Sequence, residues 1–80
     1  MMDQISCSPI ASHYELTVIA LNRLATYNAR RVYVCLEFEL VESSDKWIAR
    51  AYLAPKEFAE RIAGKLAGLD GIVTRLREIK

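Results

Sequence analysis

Glycine, proline, cysteine and histidine are all scarce in this chain, at three, two, two and one in 80 residues. The glycines, Gly64, Gly68 and Gly71, all fall late in the chain, so no glycine-rich loop that cradles a phosphate can be assembled. Cys7 and Cys35 are too few for a disulfide framework and too far apart for a CxxC motif. Together with His13, the single histidine, they lack the three or four convergent ligands that zinc needs. A dominant charge is missing too. Eleven basic and ten acidic residues leave a net charge of +1, which offers no field for nucleic acid or an anionic membrane. No apolar run approaches the roughly 20 residues of a transmembrane helix. Met1-Met2-Asp3-Gln4 has neither the basic region nor the apolar stretch of a signal peptide. These absences predict a cytoplasmic chain without metal or cofactor.

What is present is a balanced composition, 52% hydrophobic and 26% charged, of the kind that folds as one globular domain. A domain this short buries only about 60–65% of the surface its unfolded chain exposes. Oligomerisation is a common remedy for so small a core. The periodicity reads as strand, helix, strand, twice over. Gln4–Ser8 alternates as a first strand, and Pro9 ends it. Ser12 and Glu15 have the S-x-x-E spacing of a capping box, which predicts a helix from Ser12 to about Arg30. Its expected buried stripe is Leu16, Ile19, Ala20, Leu24 and Tyr27. Val32–Leu40 alternates as strand two, with Glu37 and Glu39 on the wet face. Trp47–Ala54 reads as strand three, placing Arg50 beside those two glutamates. Pro55 opens a helix with the stripe Phe58, Ile62, Leu66 and Leu69, and Ile72–Ile79 is an edge strand. The expected fold is α+β: a ferredoxin-like βαββαβ sandwich, with a four-stranded antiparallel sheet in the order 2-3-1-4 and two helices on one face.

No catalytic constellation emerges from these residues. A nucleophile needs a base within reach, and the adjacent Ser12 and His13 are explained by capping. Glu37 and Glu39 read as a solvated face balanced by Arg50, not as an acid–base pair. RNA-recognition modules share this topology, but the first strand has no aromatic on which a base could stack. The stretch from Ser8 to His13 leads into the expected first helix, where free amides favour an anion or carboxylate unless Ser12 and Glu15 already satisfy them.

Several stretches resemble the ACT regulatory domain, and within it the short small subunit of acetolactate (acetohydroxyacid) synthase of the isozyme II type. They are Leu21-Asn22-Arg23-Leu24, Ala29-Arg30-Arg31, Val34-Cys35, Ala54-Pro55 and the run Ile62-Ala63-Gly64-Lys65-Leu66-Ala67-Gly68-Leu69-Asp70-Gly71-Ile72-Val73. The resemblance implies a non-catalytic homodimer that docks on a thiamine-diphosphate-dependent catalytic subunit and raises its activity in branched-chain amino-acid synthesis. It also implies a small amino-acid effector site at the dimer interface, which falls here on Ile10, Ala11, Ser12, His13 and Val34. The chain departs from the valine-sensitive pattern there. Ile10-Ala11-Ser12 replaces the usual Pro-Gly, and Val32-Tyr33-Val34 replaces a Gly-Phe-Asn. Losing the glycine blocks close backbone approach, and losing the asparagine removes a polar partner, so valine feedback is not expected. The alternative is a stand-alone ACT module that senses a small amino acid and regulates another enzyme or transcription.

Overall fold

The structure is a computed structural model and describes residues 13–79. Its elements are β1 (His13–Ala20), α1 (Arg23–Val32), β2 (Glu39–Val41), β3 (Lys46–Leu53), α2 (Lys56–Ala67) and β4 (Ile72–Ile79). Every ladder is antiparallel, and the order across the sheet is β2-β3-β1-β4. This is the ferredoxin-like βαββαβ arrangement that the sequence predicts. Both helices cover one face. Leu16, Val18 and Ala20 of β1, Ala49, Ala51 and Leu53 of β3, and Ile72 of β4 meet Ala25 and Ala29 of α1 and Ala59, Ile62 and Leu66 of α2 in one core.

The second half stands where the sequence puts it. β3 begins one residue before the expected Trp47, α2 follows Pro55, and β4 occupies Ile72–Ile79 at the sheet edge. Ile62 and Leu66 are buried, and Phe58 and Leu69 pack against the core from its margin. Phe58 meets Tyr33 edge-on, with ring centroids 6.4 Å apart, which ties the start of α2 to the end of α1.

The first half is displaced along the chain. The stretch expected as helix from Ser12 is instead strand β1, and α1 starts only at Arg23. β1 lies between β3 and β4, so Thr17 and Ile19 on its far side are also half-covered. That dulls the polar alternation of an ordinary strand and lets the apolar residues fit a helical spacing as well. The β-branched run Thr17-Val18-Ile19 suits the pleated surface. The capping box does not form, because Glu15 lies within β1. Asn22 caps the helix instead, its Oδ1 accepting from the Ala25 amide at 2.9 Å. The strand expected over Gln4–Ser8 lies outside the described residues.

Strand two is also shorter than its alternation suggests. Arg30 and Arg31 complement the negative end of α1, and Val32 remains helical. The Tyr33 amide then donates to Ala29 O at 3.0 Å, and the Leu36 amide donates to Tyr33 O at 3.3 Å. This turn seats Leu36 in the core and leaves Val34 73% exposed. Cys35 is an exposed free thiol on the same turn, not a strand residue, and Cys7 lies outside the described residues.

α1 meets the core through small side chains, Ala25, Thr26 and Ala29, with the Thr26 hydroxyl donating to Arg23 O at 2.6 Å. Leu24 and Tyr27, expected on the buried stripe, are 68% and 59% exposed. A stripe phased from Ser12 points them inward, whereas a helix that starts at Arg23 turns them out.

A backbone hydrogen bond also joins the two halves where α1 begins. Gly71 has a φ of 78°, and its carbonyl accepts from the Leu21 amide at 2.8 Å. The turn into α1 is thereby pinned to the start of β4.

Candidate functional site: the open sheet face and the outer side of the first helix

The sheet has one face without a helical layer among the described residues, and the strand registers order its side chains in rows. Glu39, Ile48, Ile19 and Val73 form one row across the four strands. In the next, Arg50, Thr17 and Arg75 are in register. Glu37, two residues before β2, lines a depression of about 350 Å³ with Glu39, Val41, Ile48 and Arg50. Tyr52, Glu15 and Arg77 form the third row, and His13 pairs with Ile79 in the last.

The third row is a bonded triad. The Glu15 Oε1 accepts from Arg77 Nη2 at 2.9 Å and from Arg77 Nε at 3.3 Å. Its Oε2 accepts from the Tyr52 hydroxyl at 3.3 Å. Arg77 and Glu15 form the one ion pair among the described residues. The Arg77 hydrogen bond, opposed by partial desolvation, holds the Glu15 carboxyl below the usual carboxylate range. Its folded pKa is therefore lower than its unfolded one. The pair contributes stability above about pH 4.3, and that contribution is lost as the pH falls through the folded value. The urea midpoint of Glu15→Gln is expected to decline less steeply between pH 6 and pH 3 than that of the natural protein. Parallel declines would show that Glu15 carries none of the acid sensitivity.

The expected cross-strand pairing of Arg50 with Glu37 and Glu39 is only spatial. The three line the same depression, and no salt bridge between them closes. Burial pushes the Tyr33 phenol upward, with Cys35 beside it adding to the shift.

A second surface lies on the other layer. Leu21, Leu24 and Tyr27 are each at least half exposed around the first turns of α1. Beside them runs a groove of about 180 Å³, lined by Arg23, Thr26, Tyr27, Arg30, Phe38 and Trp47. It brings the aromatic rings of Tyr27, Phe38 and Trp47 together with two arginines.

Of the effector residues implied by resemblance, His13 and Val34 fall within the described residues. His13 is exposed at the first position of β1 on the open face, and Val34 projects from the turn after α1. Ile10, Ala11 and Ser12 lie outside the described residues. The turn that leads into α1 is formed by Leu21 and Asn22. Sequence reasoning missed Glu15 as an ion-pair partner and Leu24 and Tyr27 as surface. The alternation of Glu15, Thr17 and Ile19 against Leu16, Val18 and Ala20 is the signal that marks this stretch as a strand with Glu15 on its open side.

These features define an α+β ferredoxin-like domain with an open, charged sheet face. No described helix is long and apolar enough to cross a membrane. No family model matches the chain, and no curated protein matches it. Among solved structures it is similar to the uncharacterized protein TM1266 from Thermotoga maritima, with a TM-score of 0.72 at 17% identity. The match covers 85% of this chain and 96% of that one. At that identity the likeness establishes the fold.

Proposed function

We propose that this chain is a non-catalytic regulatory subunit, a cytoplasmic ACT-like homodimer that docks on the catalytic subunit of acetolactate synthase and raises its activity. The observation that carries this reading is the outer side of α1. Leu21-Asn22-Arg23-Leu24 and Ala29-Arg30-Arg31 are among the residues on which the family resemblance rests. The fold uses only part of them, since Asn22 caps the helix and Ala29 is buried. Leu24 is 68% exposed, and Arg23, Arg30 and Arg31 also face outward. Packing within the domain gives no reason for a leucine at that position. Exposed apolar clusters flanked by charge mark contacts with other proteins.

The test adds the full chain to a thiamine-diphosphate-dependent acetolactate synthase subunit and follows conversion of pyruvate. Turnover should rise with the natural chain, and valine should leave the rise unchanged. Leu24→Asp should keep the circular dichroism of the natural chain while requiring about tenfold more protein for half-maximal activation, as loss of a central interface anchor does. Equal turnover with and without the chain would remove this reading and favour the stand-alone amino-acid sensor.

A further inference from the structure

We infer that the open sheet face is a self-pairing surface, on which a second copy of this chain stacks face to face about a twofold axis parallel to the strands. The inference rests on the homodimer in the proposed function and supplies its contact surface. It follows from how charge is distributed over the rows. The β2 flank of the face is acidic, with Glu37 and Glu39, and the β4 flank is basic, with Arg75 and Arg77. Between them lie Ile48 and Ile19, and Val73 continues the apolar row at 45% exposure. Glu15 engages Arg77 internally. Glu37, Glu39 and Arg75 have no ionic partner among the described residues.

A twofold interface places the same patch on both copies, so the patch must complement itself under the rotation. Two in-plane axes keep the strands aligned, as stacked sheets prefer. An axis perpendicular to the strands lays β4 over β4 and β2 over β2, setting arginine against arginine and glutamate against glutamate. An axis parallel to the strands lays β2 over β4 and preserves the level of each row. Glu37 then faces the second copy's Arg75, Ile48 faces Ile19, and Arg50 faces Thr17, each twice. Sheets stacked about 10 Å apart bring such side chains into contact. Charge therefore selects the second axis, and the apolar row falls at the centre of the contact.

Sedimentation equilibrium of the full chain at pH 7 and low salt tests this. The natural chain should be a dimer. Glu37→Arg and Arg75→Glu should each raise the dimer dissociation constant by about tenfold or more, since each sets like charges in apposition. The double variant restores opposite charges across the interface and should return the constant to within about threefold of the natural value. That recovery also shows that the two substitutions together leave the fold intact. A dimer indifferent to both reversals, or a double variant as weak as the singles, would overturn the surface and leave the dimer standing. A monomeric natural chain would remove the dimer itself. Neither result alters the synthase assay, which reads the outer side of α1.

Discussion

Leu16→Ala is expected to lower the unfolding free energy by about 2–5 kcal/mol. A domain of this length holds roughly 4–12 kcal/mol in total, so the loss is a large fraction of its stability. Leu16 is fully buried at the middle of β1, level with Ala51 on one side and Leu76 on the other. Among the described residues, six of the thirteen in the buried core are alanine: Ala20, Ala25, Ala29, Ala49, Ala51 and Ala59. A methyl group cannot lean into a vacated space as a longer side chain can. The cavity would stay open, placing the cost in the upper part of the range. Urea denaturation at one fixed protein concentration measures it, and the concentration must be fixed because association shifts the midpoint. Leu24→Ala is the control, with a change within about 0.5 kcal/mol, as for an exposed residue. A reversal of the two values would place Leu24 inside and refute the assigned phase of α1.

Gly71→Ala should cost about 1–3 kcal/mol, the range for a non-glycine residue held at positive φ. Two effects combine at this position. The φ of 78° disfavours any side chain, and an added Cβ would stand 3.2 Å from Asn22 Nδ2 and 3.4 Å from Ala25 Cβ. The first effect is local to Gly71, whereas the second falls on the cap of α1. A double-mutant cycle separates them. Asn22→Ala alone should cost about 0.5–2 kcal/mol through the lost cap. In that background Gly71→Ala should cost less than it does in the natural chain, because the crowded amide is gone. Strict additivity would mean that crowding against Asn22 contributes nothing to the cost.

The contrast between the two halves of the chain explains which parts of the fold were legible. β3 alternates cleanly because it borders the short β2, and Arg50 and Tyr52 on its open side are exposed. α2 is announced by Pro55 and closed by Gly68, and Gly71 marks the turn into β4. β1 gave a weaker signal because it is central. Neighbours on both sides half-cover Thr17 and Ile19, and its run of apolar residues satisfies two periods at once. The Ser12 and Glu15 spacing tips the balance toward helix, although Glu15 answers to Arg77, 62 residues further on. No local pattern could report that bond. Of the site, Arg50, Glu37 and Glu39 were legible as a shared face. The rows across that face depend on register, which alternation alone does not supply.

The sheet order sets the tempo of assembly as well as its shape. β1 pairs Ala20 with Trp47 on one side and with Ile72 on the other, so both of its ladders join residues far apart in the chain. The one local hairpin among the described residues, β2 with β3, is the three-residue ladder from Glu39↔Ile48 to Val41↔Lys46. Loop-closure entropy must therefore be met before most of the sheet returns any stabilisation. Chains dominated by such distant pairings fold in milliseconds to seconds, not microseconds. During that interval the apolar run of β1 is uncovered. A newly made chain would spend its most aggregation-sensitive moments waiting for its own last strand, β4, to arrive.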